Sequence, residues 1–99
     1  MASFTGDSKS NAVELKNKGN QLFGAGKFSE SEEAYTAAIA LDPDEEALFS
    51  NRAAARLKLG RPQDALADAE ECLRIAPAFM KGYHRKALAQ TAMGDETGT

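Results

Sequence analysis

Two pairs of residues in this 99-residue chain are spaced to act together on one ligand. Lys16 and Asn20 are four apart, as are Lys81 and Arg85, so on a helix each pair shares a face. Between them lies Asn51, an amide in the alanine-rich stretch Asn51-Arg52-Ala53-Ala54-Ala55. Lysine and arginine bring positive charge and N–H donors. Asparagine donates to a carboxylate, or bonds a peptide group, without adding charge. Cations and amides together suit a pair of carboxylates with an adjoining backbone. Ala54, one turn after Asn51, leaves room beside them for a small apolar side chain. The chemistry is capture of an anion.

The other reactive side chains form no second site. His84 has no histidine or cysteine at ligand spacing, so no metal is expected. Cys72, the single cysteine, reads as a small buried thiol; it excludes an intrachain disulfide and fits a reducing compartment. Tyr35, Phe49 and Tyr83 read as packing residues, and the Gly24-Ala25-Gly26 turn is too short to cradle phosphate. No nucleophile, base and orienter can be assembled, so neither an enzyme nor a cofactor is expected.

Composition agrees with a binding module. A chain this short is one small domain, and 42% apolar with 27% charged residues is ordinary for a globular one. A net charge of −3 argues against nucleic acid, whose phosphates call for a basic protein. No apolar run approaches a membrane span, and Met1 to Ser10 is too polar for a secretory signal, so no membrane partner and a cytoplasmic location are expected.

The site residues must be positioned by helices. Residues 1–11 are small and polar and predict a disordered segment, residues 12–94 the folded domain, and residues 95–99 a polar tail. Helical periodicity begins at Ala12, breaks at Gly24-Ala25-Gly26, and resumes from Phe28 to Leu41 before Asp42-Pro43. Asp42 or Asp44 is placed to cap a third helix ending near Leu59, and Pro62 suits the first turn of a fourth. A fifth begins near Phe79 and fades at Met93-Gly94. No useful length alternates like a strand; the chain is all-α.

The pattern also recurs at one interval. Gly26, Gly60 and Gly94 are 34 apart, as are Pro43 and Pro77, and the same offset links Leu15, Phe49 and Tyr83, then Gly19, Ala53 and Ala87. Small residues recur where the helices of a hairpin cross, large ones where hairpins meet. Thirty-four residues built as two helices is the tetratricopeptide period. From about Ala12 to Gly94 the chain therefore resembles the tetratricopeptide repeat (TPR) family, with Ser31 where that family usually has alanine. It holds two full helical hairpins of such a solenoid plus the first helix of a third. Stacked repeats cover one another's apolar faces. The face of Tyr83, Ala87 and Leu88 is thus expected to be open, in a shortened domain of marginal stability or one that self-associates weakly.

In such an array the first helix of each hairpin lines a concave groove. The first helices carry eight basic residues against three acidic, the second helices one against seven. That split predicts a basic groove and an anionic ligand.

The stretches around Lys16–Asn20, Ser50–Ala54 and Lys81–Lys86 further resemble the dicarboxylate clamp of co-chaperone TPR domains. Such domains bind the C-terminal Glu-Glu-Val-Asp of the heat-shock chaperones Hsp70 and Hsp90. The resemblance implies that Lys16, Asn20 and Asn51 hold the main-chain carboxylate and Lys81 the aspartate side chain. It puts Arg85 further back along the peptide and Ala54 in the valine pocket, and the Arg85-Lys86 pair leans toward the Hsp70 class. The alternative is a structural scaffold whose groove takes an internal helix or tail of a partner.

Overall fold

The computed structural model describes residues 8–97, and five helices run through them: α1 (Ser8–Gly24), α2 (Phe28–Leu41), α3 (Glu46–Lys58), α4 (Pro62–Ile75) and α5 (Met80–Thr97). Each neighbouring pair packs together, and α3 also touches α1 and α5. The architecture is the expected all-α stack of hairpins.

Both hairpin turns are built alike. Lys27 N–H bonds the Leu22 carbonyl at 2.9 Å and Arg61 N–H the Arg56 carbonyl at 2.9 Å, the six-to-one bond of a Schellman cap. That cap needs a left-handed residue, supplied by Gly26 (φ 79°) and Gly60 (φ 76°). Pro62 opens α4 as expected. Neither Asp42 nor Asp44 caps α3: Glu45 holds that place without a side-chain bond, and Asp42 instead closes α2, its N–H bonded to the Ala38 carbonyl.

Within each hairpin the crossing is made by small residues in register. Gly19 meets Ser31, whose Oγ donates to the Gly19 carbonyl at 2.8 Å, and Ala53 and Ala65 are fully buried one repeat later. Ser31 therefore pins α1 to α2 rather than merely fitting. Between hairpins the same register is filled by complementary sizes. Leu48 packs on Ala38 and Ile39, whereas Gly82 meets Cys72 and Leu73, so closely that a Cβ there would lie 2.8 Å from Leu73 Cδ2. Where one partner grows, the other shrinks.

Two boundaries differ from the expectation. Helix α1 takes in Ser8 to Asn11, so residues 8–11 are helical rather than disordered, and their side chains are exposed. Met1–Asp7 of the expected disordered segment lie outside the described residues. At the other end α5 continues through Gly94 to Thr97. Glycine permits a turn without imposing one, and among the described residues no later helix folds back there. Tyr83 is 51% exposed and Ala87 is exposed, so their face is open as expected, whereas Leu88, 43% exposed, lines a groove instead; Phe49, in Tyr83's register, is 8% exposed. No described helix is long and apolar enough to cross a membrane.

Candidate functional site

The 34-residue register brings Asn20, Ala54 and Leu88 to one level, Asn51 and Arg85 to another, and Phe23 and Leu57 to a third. All of them line a groove of about 720 Å³, together with Gly24, Tyr35 and Lys58. Helices α1, α3 and α5 thus lie side by side in parallel, and the predicted residues Asn20, Asn51, Ala54 and Arg85 meet there. Lys16 and Lys81 are not in the lining. Each stands one turn before its partner, about 6 Å along the axis, Lys16 half-buried and Lys81 exposed. Levels along the groove run from Lys81 and Lys16, through Asn51 and Arg85, then Asn20, Ala54 and Leu88, to Phe23, Leu57 and Lys58. One end is cationic, the middle carries the two amides and Arg85, and the far wall is apolar with Lys58 at its edge.

The polar groups are tied to one another. Asn20 Oδ1 accepts from the Tyr35 hydroxyl at 2.5 Å and from Asn51 Nδ2 at 3.4 Å. Arg85 Nε donates to the Ser50 carbonyl at 3.3 Å, which steadies the guanidinium against α3. Burial draws the Arg85 pKa down from its ordinary value, with the Tyr35 phenol opposing. An arginine so shifted is still a cation at neutral pH. Phe23 is held by an edge contact with Phe28, ring centres 5.1 Å apart.

The expected split of charge between helices does not all reach the groove. Arg52 Nη2 donates to Asp68 Oδ1 at 2.8 Å, Arg56 Nη1 to Asp68 Oδ2 at 3.0 Å, and Arg56 Nε to Glu32 Oε2 at 2.7 Å. Arg61 closes the network on Glu32. Arg52 and Arg56 leave α3 on the side away from Asn51 and Ala54, since each residue turns the helix by about 100°. They neutralise the second helices rather than the ligand. That turn was available from the spacing and corrects the count by helix.

Sequence reasoning placed Tyr35 only in the core. It is 2% exposed, yet its hydroxyl reaches the groove. Phe23, Leu57 and Leu88 were not singled out as lining residues; the register of Ala54 with Leu88 and of Phe23 with Leu57 could have found them. Cys72 is fully buried, and burial, with Glu46 nearby, pushes its thiol pKa up, so it is a packing group. Among the described residues no cluster of three His, Cys, Asp or Glu could hold a metal.

No protein-family model matches the chain. A solved structure, the second TPR of Spaghetti (RPAP3) bound to the HSP90 peptide SRMEEVD, superposes with a TM-score of 0.85 and 32% identity, over 88% of this chain and 81% of that one. The chain belongs to the TPR family. The second TPR domain of human RPAP3, in complex with the HSP70 peptide SGPTIEEVD, matches this TPR chain with a TM-score of 0.84 and 31% identity, over 89% and 73% of the two chains. By sequence, the Hsp70-Hsp90 organizing protein of Triticum aestivum is 45% identical over 84 residues, 85% of the TPR chain. That match spans 14% of the wheat protein's length.

Proposed function

We propose that this TPR domain is a peptide-binding adaptor that captures the C-terminal carboxylate of an Hsp70 or Hsp90 chaperone ending in Glu-Glu-Val-Asp. The observation that carries the reading is the convergence of Asn20, Asn51 and Arg85, from three successive first helices, on one groove. Lys16, Asn20 and Asn51 hold the main-chain carboxylate, and Lys81 the aspartate side chain. Arg85 engages the peptide further back, and Ala54 faces the valine. The lysines reach in from the cationic end, as flexible stems can.

The levels from Lys81 to Lys58 span about 16 Å, the length of roughly five extended residues. Phe23, Leu57 and Leu88 then receive an apolar side chain upstream of the acidic pair. The bound species is a segment with a free end, so the work is recognition; catalysis has no part in it. A cytoplasmic location belongs to the same proposal, because such tails belong to cytosolic chaperones.

Affinity for so short a segment is expected in the micromolar range, about −7 to −8 kcal/mol. The test is calorimetric titration with a peptide ending Glu-Glu-Val-Asp, as free acid and as C-terminal amide. Binding should weaken sharply for the amide and fall with salt. Equal affinity for both forms would sink the proposal and leave the groove to an internal segment of a partner.

A further inference from the structure

Among the groove-lining residues, Tyr35 alone comes from a second helix. Its ring is clamped on one side by α1. A Cβ on Gly19 would lie 2.6 Å from Tyr35 Cε1, so only glycine lets the ring rest there. Ser31, one turn earlier on α2, ties that same stretch of α1 down through the Gly19 carbonyl. The ring is 2% exposed and packed against the hairpin crossing. Its hydroxyl is therefore delivered to one place, 2.5 Å from Asn20 Oδ1.

A side-chain amide has two unlike ends, a carbonyl that only accepts and an NH2 that only donates. A carboxylate is attracted by the second and repelled by the first. The two ends are nearly isosteric, so an unrestrained asparagine presents either. Here the Tyr35 hydroxyl and Asn51 Nδ2 both donate to Asn20 Oδ1. The Asn51 bond, at 3.4 Å, is the long one, and the hydroxyl carries the preference.

We propose that Tyr35 is a positioning residue: its hydroxyl fixes the Asn20 amide with the oxygen turned inward, so that the NH2 end is the one offered to a ligand carboxylate. This rests on the clamp reading for its ligand, but not for the contact itself. The hydroxyl is also a constant donor. Burial raises its pKa above the ordinary value, with Ser31 and the Arg85 charge opposing, so it stays protonated throughout the range in which peptides are bound.

Tyr35→Phe removes the hydroxyl and keeps the ring that fills the Gly19 contact. Two measurements on this variant decide the matter. In the free protein, the side-chain amide signals of Asn20 in a nitrogen–proton NMR spectrum should shift, while those of Asn11 and Asn17 stay in place. An unmoved Asn20 signal overturns the proposal. In titration, affinity for the free-acid peptide ending Glu-Glu-Val-Asp should fall about fivefold, the worth of one neutral hydrogen bond, with binding of the amidated peptide unchanged. In an Asn20→Ala background the same substitution should have no further effect. Undiminished affinity, or an equal loss in that background, refutes the positioning role. A wild-type protein that binds acid and amide alike overturns the clamp instead, and the NMR shift then decides alone whether Tyr35 fixes Asn20.

Discussion

At Asn51 folding and the proposed binding role pull in opposite directions. Asparagine in a helix interior is less favourable than alanine by about 0.6 kcal/mol, and among the described residues the Asn51 side chain makes one hydrogen bond, the 3.4 Å contact to Asn20. Asn51→Ala should therefore leave the domain as stable as before or slightly more so. Its affinity for a free C-terminal carboxylate should drop by about 1 to 2 kcal/mol, which is roughly five- to thirtyfold. Urea denaturation and calorimetry on one preparation check both signs; unchanged binding removes Asn51 from the site. Most of the groove was readable at this scale. Asn20, Asn51, Ala54 and Arg85 are placed by two periods alone, the helical turn and the 34-residue offset, and both survive in the bare sequence. Tyr35 was not, because its part depends on a contact across 15 positions that is neither periodic nor charged. Lys16 and Lys81 lie between these cases: their helix face is fixed by spacing, while the reach of a long side chain is not.

Helix α3 works as a two-faced element. Asn51, Ala54, Leu57 and Lys58 look into the groove. Arg52 and Arg56 hold the opposite side to Glu32 on α2 and Asp68 on α4, and Arg52 also bonds Thr36 at 3.1 Å and lies 5.7 Å over the Phe49 ring. The network thereby sets how α3 is rotated between the two hairpins. Asp68 is the centre of it, with a side chain only 4% exposed and bonds from both arginines. Asp68→Asn should cost about 3 kcal/mol, the low end for breaking a buried ion pair. Glu32→Gln should cost less, about 1.5 kcal/mol, because the Arg61 side chain facing it is 42% exposed and can turn to water. Glu32 also makes a dependence on pH. Burial raises its pKa, but the hydrogen bonds and charges of Arg56 and Arg61 together outweigh burial and hold it below the ordinary value. A carboxyl depressed in the folded state contributes stability above its unfolded pKa, about 4.3, and that contribution is lost as pH falls through the folded value. Denaturation profiles from neutral pH down to about pH 3 should show wild type losing stability that Glu32→Gln no longer has to lose. Parallel profiles would mean that Glu32 is not held as a charge by the arginines.

The molecule as a whole is a line of helices, 58 Å long and 16 Å thin, in which each mostly touches the next. In such a stack the end unit has the fewest neighbours and opens at the lowest free energy. Among the described helices α5 is such a unit: it rests on α4 and the edge of α3, while Met80 and Tyr83 face solvent at 77% and 51% exposure. Yet Lys81 and Arg85 are on α5, so the proposed ligand site is complete only while this helix is docked. Binding to the docked form alone must then stabilise α5 by mass action, by about 2.7 kcal/mol when peptide is present at a hundred times its Kd. Amide hydrogen exchange reads this helix by helix. Without peptide the α5 amides should exchange through local detachment, well ahead of the slowest amides of α3. With peptide at that excess both sets should slow by the same factor, about a hundredfold, since detaching α5 and unfolding the whole chain each destroy the site. If α3 slows and α5 does not, the ligand binds equally well with α5 undocked, and Lys81 and Arg85 do not touch it.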